Sequence, residues 1–416
     1  MSIEKISPAI INMYNEGWLN EVHVNEWTVL ERAKLFDQKP NNVYKTLESL
    51  LLLKSVTLID YSTLFGDDSF SNVTALVNKG ARPLSEKLFQ KALSSVTTSI
   101  KNIIKTQTLR KSSVVVSIDT TDDNFNFKVT EQADTSLNEQ YGLTDHELIE
   151  VKQLLKAFHL HDEKSLSESL AEFLYLGDDS TDCKNETKKT IRVGALCIYP
   201  AFVSVVADSL RAKKLLVSSK STEGSNNSSN GIPIASVAAA FPSGLYPLES
   251  KISEINFATR NGATEIDIVI SRYLVLQHRW TELFEEIKAL KEACGSAKMK
   301  TILAVGECGS LENVYKASMV AMMAGTDYIK TSTGKEAVNA TFTSGLVMCR
   351  AIKNFYIKTG KKIGFKPAGG IRTAEDSLKW INLVITELGA DWLSLFRIGA
   401  SGVLKSIEQR LHHINP

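Results

Sequence analysis

The chain has 416 residues, with 48 Lys and Arg against 47 Asp and Glu and a formal net charge of +1. That balance gives no electrostatic footing for nucleic acid or for a membrane surface. A hydrophobic share of 43% suits a soluble globular chain with a pocket for a small molecule, and no apolar run approaches the roughly 18 residues of a membrane span.

Residues 1–54 read as an N-terminal helical extension, because EWTVLERAKLF and VYKTLESLLLLK carry apolar residues at helical spacing. This extension is predicted to cover the amino-terminal side of the domain built from residue 55 onward. A first strand is expected at 55–60 (SVTLID). A second is expected only at 191–198 (IRVGALCI), whereas a βαβ unit takes about 30 residues, so a large insertion of roughly 100 residues is predicted at about 91–190. Inside it, SVVVSIDTTDDNFNFKVTE reads as a hairpin around a polar turn. Thr144 and Glu147 form a capping box before LIEVKQLLKAF, and GDDSTDCKNETKKT is polar and predicted to be mobile. The Ser/Asn/Gly-rich stretch at 217–231 reads as a flexible loop.

Five further strands are expected at 233–241, 264–270, 299–305, 326–331 and 362–368, and a last at 393–398, with amphipathic helices between them. Short apolar strands alternating with helices make a parallel sheet. Eight of them close a (β/α)8 barrel spanning 55–416, with its active site at the carboxyl ends of the strands.

The five cysteines, Cys183, Cys197, Cys294, Cys308 and Cys349, form no CxxC pair and come after a start without a signal-peptide pattern, so a cytoplasmic protein is predicted. His159 and His161, like His412 and His413, lack companion ligands at site-like spacing. No metal and no cofactor are predicted.

Chemistry concentrates near the strand ends. Lys330 closes an apolar strand in YIKTSTG, followed by small residues that leave room for a substrate. Lys366 closes the next strand in GFKPAGGIR. An amine forms a Schiff base only when neutral, and at an ordinary lysine pKa of about 10.4 almost none is neutral at pH 7. Burial and a second ammonium nearby supply the shift, and this pairing is why the two lysines matter together. Asp267 lies inside the apolar strand of ATEIDIVI, where a carboxylate needs a partner, and Asp60 in LIDYSTL obeys the same logic. The Gly369–Gly370 pair and FRIGASG, with Gly399, Ser401 and Gly402, stand where barrels bind phosphate. Cys197 reads as a small buried hydrophobe, and Glu307 adds polarity at the end of the fifth strand.

Together LIDYSTLFGDDS, ALCIYPAFV, ASVAAAFPSG, GATEIDIVI, YIKTSTGKEAVNAT, GFKPAGGIR and FRIGAS resemble the deoxyribose-phosphate aldolase family, class I aldolases on a TIM barrel, in order through about 45–90 and 190–412. The resemblance implies that Lys330 forms the Schiff base, Lys366 lowers its pKa, and Asp267 serves the proton relay with support from Asp60 and Ser62. It also implies phosphate binding by Gly334, Lys335, Gly369, Gly370, Gly399 and Ser401. Gly402 stands where the resemblance leads one to expect a second hydroxyl residue, and the tail that in some members reaches the site is not expected after the last helix. The implied substrate is a small sugar phosphate, 2-deoxy-D-ribose 5-phosphate, with neither nucleic acid nor membrane as partner and with a homo-oligomer left open. Two other readings remain open: a transaldolase-like Schiff-base enzyme, and a non-catalytic sugar-phosphate binder whose insertion holds a partner.

Overall fold

The computed structural model describes residues 14–38, 45–108, 116–117, 128–129, 145–178, 189–217 and 231–414. Eight parallel strands make one sheet: β1 (Ile59–Ser62), β2 (Ala195–Ile198), β3 (Ile234–Ala238), β4 (Glu265–Val269), β5 (Lys298–Ile302), β6 (Tyr328–Lys330), β7 (Gly364–Lys366) and β8 (Ile398–Ala400). Neighbours keep chain order, and β1 lies between β2 and β8. The ring closes between β7 and β8, where the Arg397 N–H donates to Phe365 O at 3.0 Å and the Gly399 N–H to Pro367 O at 2.9 Å. This is the (β/α)8 barrel the alternation predicts.

The first and last strands begin later than expected. Residues 55–58 complete the helix Glu48–Leu58, and residues 393–395 belong to the 3-10 turn Ala390–Leu395. Both stretches alternate apolar with small hydroxyl residues, Ser-Val-Thr-Leu and Leu-Ser-Leu, and such short runs do not distinguish a buried helix from a buried strand. Every residue from Leu50 to Leu58 is buried, so the last turn of the helix, 55–58, presents no exposed face that would set it apart from a buried strand.

Three outer helices begin with reciprocal capping boxes that satisfy otherwise orphaned N–H groups: Ser69 with Asn72, Thr341 with Ser344, and Thr373 with Asp376. These caps fix where each loop above the barrel ends.

Between β1 and β2 the chain adds helices Glu86–Thr108, Asp145–Ala157 and Leu166–Phe173 after the helix Phe70–Ala81. Leu88, Phe89, Ala92, Val96, Ile100 and Ile103 form one stripe of the first, and all are buried in the same hydrophobic core as the barrel. Val151, Leu155, Leu166 and Leu170 join that core. Val116–Ser117 pairs antiparallel with Lys128–Val129, and Gly177–Asp178 with Lys189–Thr190. The turn of the first hairpin, Thr144 of the capping box, most of GDDSTDCKNETKKT and positions 218–230 lie outside the described residues.

The helix Glu26–Asp37 corrects one expectation. It packs on the outer helices Phe342–Thr359 and Ala374–Leu388 rather than across the amino-terminal side. A groove of about 390 Å³ separates it from Ala340, Gly370 and Ile371, which lie beyond β6 and β7. No helix among the described residues is long and apolar enough to cross a membrane.

Candidate active site

Parallel register decides which side chains meet inside the barrel. Lys330 on β6 is the direct partner of Lys366 on β7, and Asp267 on β4 is the partner of Lys300 on β5. Side chains alternate along a strand, so Glu265 and Asp267 share the inward face. Asp60 on β1 pairs with Gly399 on β8. A Cβ at position 399 would stand 3.1 Å from Lys366 Cε and 2.7 Å from Ala368 Cβ, so the glycine there makes room for the Lys366 side chain.

The result is a buried charge cage. Asp267 Oδ2 accepts from Lys330 Nζ at 2.8 Å and from Lys366 Nζ at 2.7 Å, while its Oδ1 accepts from Lys300 at 2.8 Å. Lys366 also donates to Asp60. Lys300 reaches Glu265 at 2.6 Å and Asp60 at 3.4 Å. Arg397 completes the ring, with one nitrogen 2.6 Å from Asp60 and another 3.0 Å from Glu265. Lys300, Lys330 and Lys366 are buried, as are the three carboxylates.

Four bases thus face three carboxylates, and charges in a dry interior must balance closely. A neutral Lys330 leaves three cations against three anions. The directions of the ionisation shifts agree. Burial pulls Lys330 below the ordinary lysine value; Asp267 opposes this, and Lys366 adds to the lowering. For Lys366, burial also works downward, but Asp267 and Asp60 outweigh it and hold the ammonium above its usual value. Lys300 is held well above its own by the same three carboxylates, against its burial. Asp267, despite a burial that favours protonation, is kept well below the carboxylate range by Lys300, Lys330 and Lys366. Of the two lysines singled out in the sequence, one is therefore poised to lose its proton and the other to keep it.

Around Lys330 the cage gives way to an apolar lining. Cys197, Val237, Phe241, Val269 and Ile302 form a hydrophobic cluster separate from the main core. The Phe241 ring centroid stands 5.9 Å from Lys330 Nζ. Burial pushes the Cys197 thiol up, in line with an inert apolar role.

The loops after β6, β7 and β8 carry the residues expected to hold phosphate. Gly334 and Gly369 approach closely, the first with φ +87° and a would-be Cβ 3.8 Å from the Cα of the second. Gly370 comes next with φ +86°. Lys335 is exposed beside them, its Nζ 4.7 Å from the Phe65 ring centroid. Ser401 is exposed just before the helix Val403–Ile414. Three amides in this set are already engaged: Gly399 N–H donates to Pro367 O, Gly334 N–H donates to Glu336 at 3.2 Å, and Lys335 N–H donates to the Thr333 hydroxyl at 3.0 Å. Ser62 is half-buried at the end of β1, and no hydrogen bond links its hydroxyl to the cage among the described residues. Glu307 pairs with Arg272 at 2.5 Å, which joins the loops after β4 and β5 at the rim.

Sequence reasoning passed over Lys300, Glu265 and Arg397. The signal was present in the first two. Lys300 interrupts the apolar MKTILAV as Asp267 interrupts TEIDIVI, and Glu265 precedes Asp267 by two, on the same face. Arg397 precedes its strand and carried no such mark.

Residues 161–406 match a family model described as DeoC/LacD family aldolase. A Homo sapiens protein named deoxyribose-phosphate aldolase is 40% identical over 399 residues, covering 95% of this chain and 92% of the relative. A Caenorhabditis elegans protein named putative deoxyribose-phosphate aldolase is 50% identical over 220 residues, covering 52% of this chain and 68% of the relative. Among solved structures, a putative deoxyribose-phosphate aldolase from Toxoplasma gondii ME49 superposes with a TM-score of 0.52 at 14% identity, over 90% of this chain and 96% of its own, a likeness of fold. With a matched family model over more than half its length and a relative aligned nearly end to end, the chain belongs to the DeoC/LacD family of aldolases.

Proposed function

We propose that this barrel is a deoxyribose-phosphate aldolase that reversibly cleaves 2-deoxy-D-ribose 5-phosphate to D-glyceraldehyde 3-phosphate and acetaldehyde, in keeping with the name of its human relative. The observation that carries the reading is a buried Lys330 whose pKa is drawn below the ordinary lysine value, touching an Asp267 oxygen that it shares with Lys366, whose ammonium is held above that value. A Schiff-base aldolase needs that state.

Neutral Lys330 attacks the open-chain C1 aldehyde, and loss of water leaves a protonated imine that serves as an electron sink. A water held by Asp267 and Lys366 takes the C3 hydroxyl proton and passes one of its own to the Asp267 carboxylate. The C2–C3 bond then breaks: C3 becomes the aldehyde carbon of glyceraldehyde 3-phosphate, and the bonding pair passes into an enamine on C2. Protonation of C2 and addition of water release acetaldehyde and free Lys330. Asp267 returns to the carboxylate when the proton it has relayed is delivered, through the same water, to C2 of the enamine. The apolar wall of Val237, Phe241, Val269 and Ile302 matches the two-carbon fragment, which carries no hydroxyl. Phosphate at the Gly334, Lys335, Gly369, Gly370 and Ser401 loops holds the far end, and that remote binding serves orientation at the reacting carbons.

Borohydride reduction in the presence of acetaldehyde, with subsequent mass mapping, should place a two-carbon adduct on Lys330, and Lys330→Ala should abolish both adduct and turnover. An adduct on another lysine, or none, overturns this assignment.

A further inference from the structure

Immediately after β3 the backbone does something costly. Ala239 and Ala240 are consecutive left-handed residues, with φ 58° and φ 59°, and neither is glycine. Left-handed conformation brings an L residue's Cβ against its carbonyl, so such residues persist only where the surroundings hold them. What holds them is a carboxylate. Glu254, on the helix Leu248–Arg260, accepts the Ala240 N–H at 2.8 Å and the Ala239 N–H as well. Successive amides of this kind form an anion-binding concavity. Glu254 is itself half-buried and makes no ion pair among the described residues, so the turn is the partner that its charge has.

The next residue is Phe241. Its ring packs edge-on against Tyr199 at 5.9 Å and contributes to the apolar cluster with Val237, Val269 and Ile302. It is the aromatic group that stands over Lys330 Nζ, and only 9% of it is exposed. The direction in which it leaves the backbone is set by the two alanines before it.

We infer that Glu254 is a positioning residue for the aldol reaction: its carboxylate locks the Ala239–Ala240 turn so that Phe241 roofs Lys330 and closes the chamber that holds the two-carbon fragment. Glu254 touches neither lysine nor substrate and acts through the turn. The inference rests on the Schiff-base reading of Lys330. With the roof displaced, the imine is open to water and the enamine carbon is free to turn away from the incoming aldehyde, so the chemical step suffers more than binding of the phosphate end.

The test is a set of variants assayed for cleavage of 2-deoxy-D-ribose 5-phosphate. Glu254→Ala should lower kcat by about tenfold with a smaller change in KM, the order expected from losing one charge-assisted hydrogen bond. Glu254→Gln keeps an acceptor oxygen and should lose less. Glycine enters the left-handed region unaided, so adding Ala239→Gly and Ala240→Gly to Glu254→Ala should recover most of kcat. Phe241→Ala should reproduce the loss, and the same glycines should not rescue it. A Glu254→Ala enzyme with unchanged kcat, or a folded Glu254→Ala enzyme that the glycines fail to rescue, overturns the inference. If Glu254→Ala proves insoluble, the triple variant decides: soluble and active supports the role, whereas insoluble assigns Glu254 to stability alone. Borohydride trapping with acetaldehyde separates this from the underlying reading. No Lys330 adduct in the unaltered enzyme defeats the Schiff base itself, whereas an adduct that forms equally fast in Glu254→Ala defeats only the positioning role.

Discussion

At the scale of single residues, the distinction between Lys330 and Lys366 comes from how many carboxylates each one touches. Lys330 has Asp267 alone, while Lys366 has both Asp267 and Asp60. Burial disfavours both ammonium groups, so the lysine with fewer anionic contacts is the one that yields its proton. Removing the charge of Lys366 should therefore raise the Lys330 pKa and reduce the neutral fraction at pH 7. Lys366→Leu is expected to lower turnover and to move the acid limb of the rate profile to higher pH, with about tenfold less activity on that limb for each unit of movement. An unmoved limb would exclude the electrostatic role.

Lys300 makes a complementary prediction about stability. It meets Glu265, Asp267 and Asp60 with no exposed surface, and removing one member of a buried ionic cluster costs about 3–5 kcal/mol. Its partners set the sign with pH. Asp60, Glu265 and Asp267 all have folded values below their ordinary ones, against burial and through the surrounding cations. Such carboxylates contribute stability that is fully present above an unfolded pKa of about 4 and is lost as pH falls toward the depressed values. Lys300→Met loses part of that contribution at pH 7, and below about pH 4 there is less left to lose. Urea titrations should thus show a large deficit at neutral pH that narrows in acid. An equal deficit at both would mean that Lys300 acts through packing alone.

At the scale of elements, eight strands, their order and the adjacency of the two lysines were legible because each strand is a short apolar run interrupted by at most a few charged residues, and those residues are the site. What was not legible has physical causes. The boundary of β1 is obscured because helical spacing is readable only as far as Lys54, while the last turn, 55–58, is buried throughout and runs directly into the strand. β8 was placed early because Leu393 and Leu395 are apolar, although they lie in a 3-10 turn that leads into the strand. The place of Gly399 in FRIGASG predicts a phosphate ligand. Its amide closes the barrel instead, and its missing side chain admits Lys366. Glu254 is invisible for a different reason: it is a single carboxylate in a polar stretch, and only the fold brings the Ala240 amide to it, whereas Glu336 accepts amides just two and three residues away, in a Thr-x-x-Glu pattern that the sequence does contain.

At the scale of the whole molecule, the added helices between β1 and β2 are tied to the barrel through a lysine that has no acidic partner among the described residues. Lys54, inside the helix that leads to β1, donates to Phe173 O at 2.5 Å and stands 3.6 Å from the Tyr175 ring centroid and 4.7 Å from that of Phe173. Burial brings its pKa down to about 7. The usual sign for a lysine is reversed here. A folded pKa below the unfolded one means that between about pH 7 and 10.4 the unfolded chain holds the extra proton, so raising pH through that window stabilises the fold. Lys54→Met has no such proton to release. Lys330 and the rest of the cage are common to both proteins, so the difference in unfolding free energy isolates position 54. That difference should shift in favour of the unaltered protein as pH rises from 7 to 9, with a slope approaching about 1.4 kcal/mol per unit. A slope of zero would mean that the Tyr175 and Phe173 rings and the Phe173 carbonyl hold Lys54 as a cation in spite of its burial, so that the barrel and its insertion are joined by a charge rather than by a neutral amine.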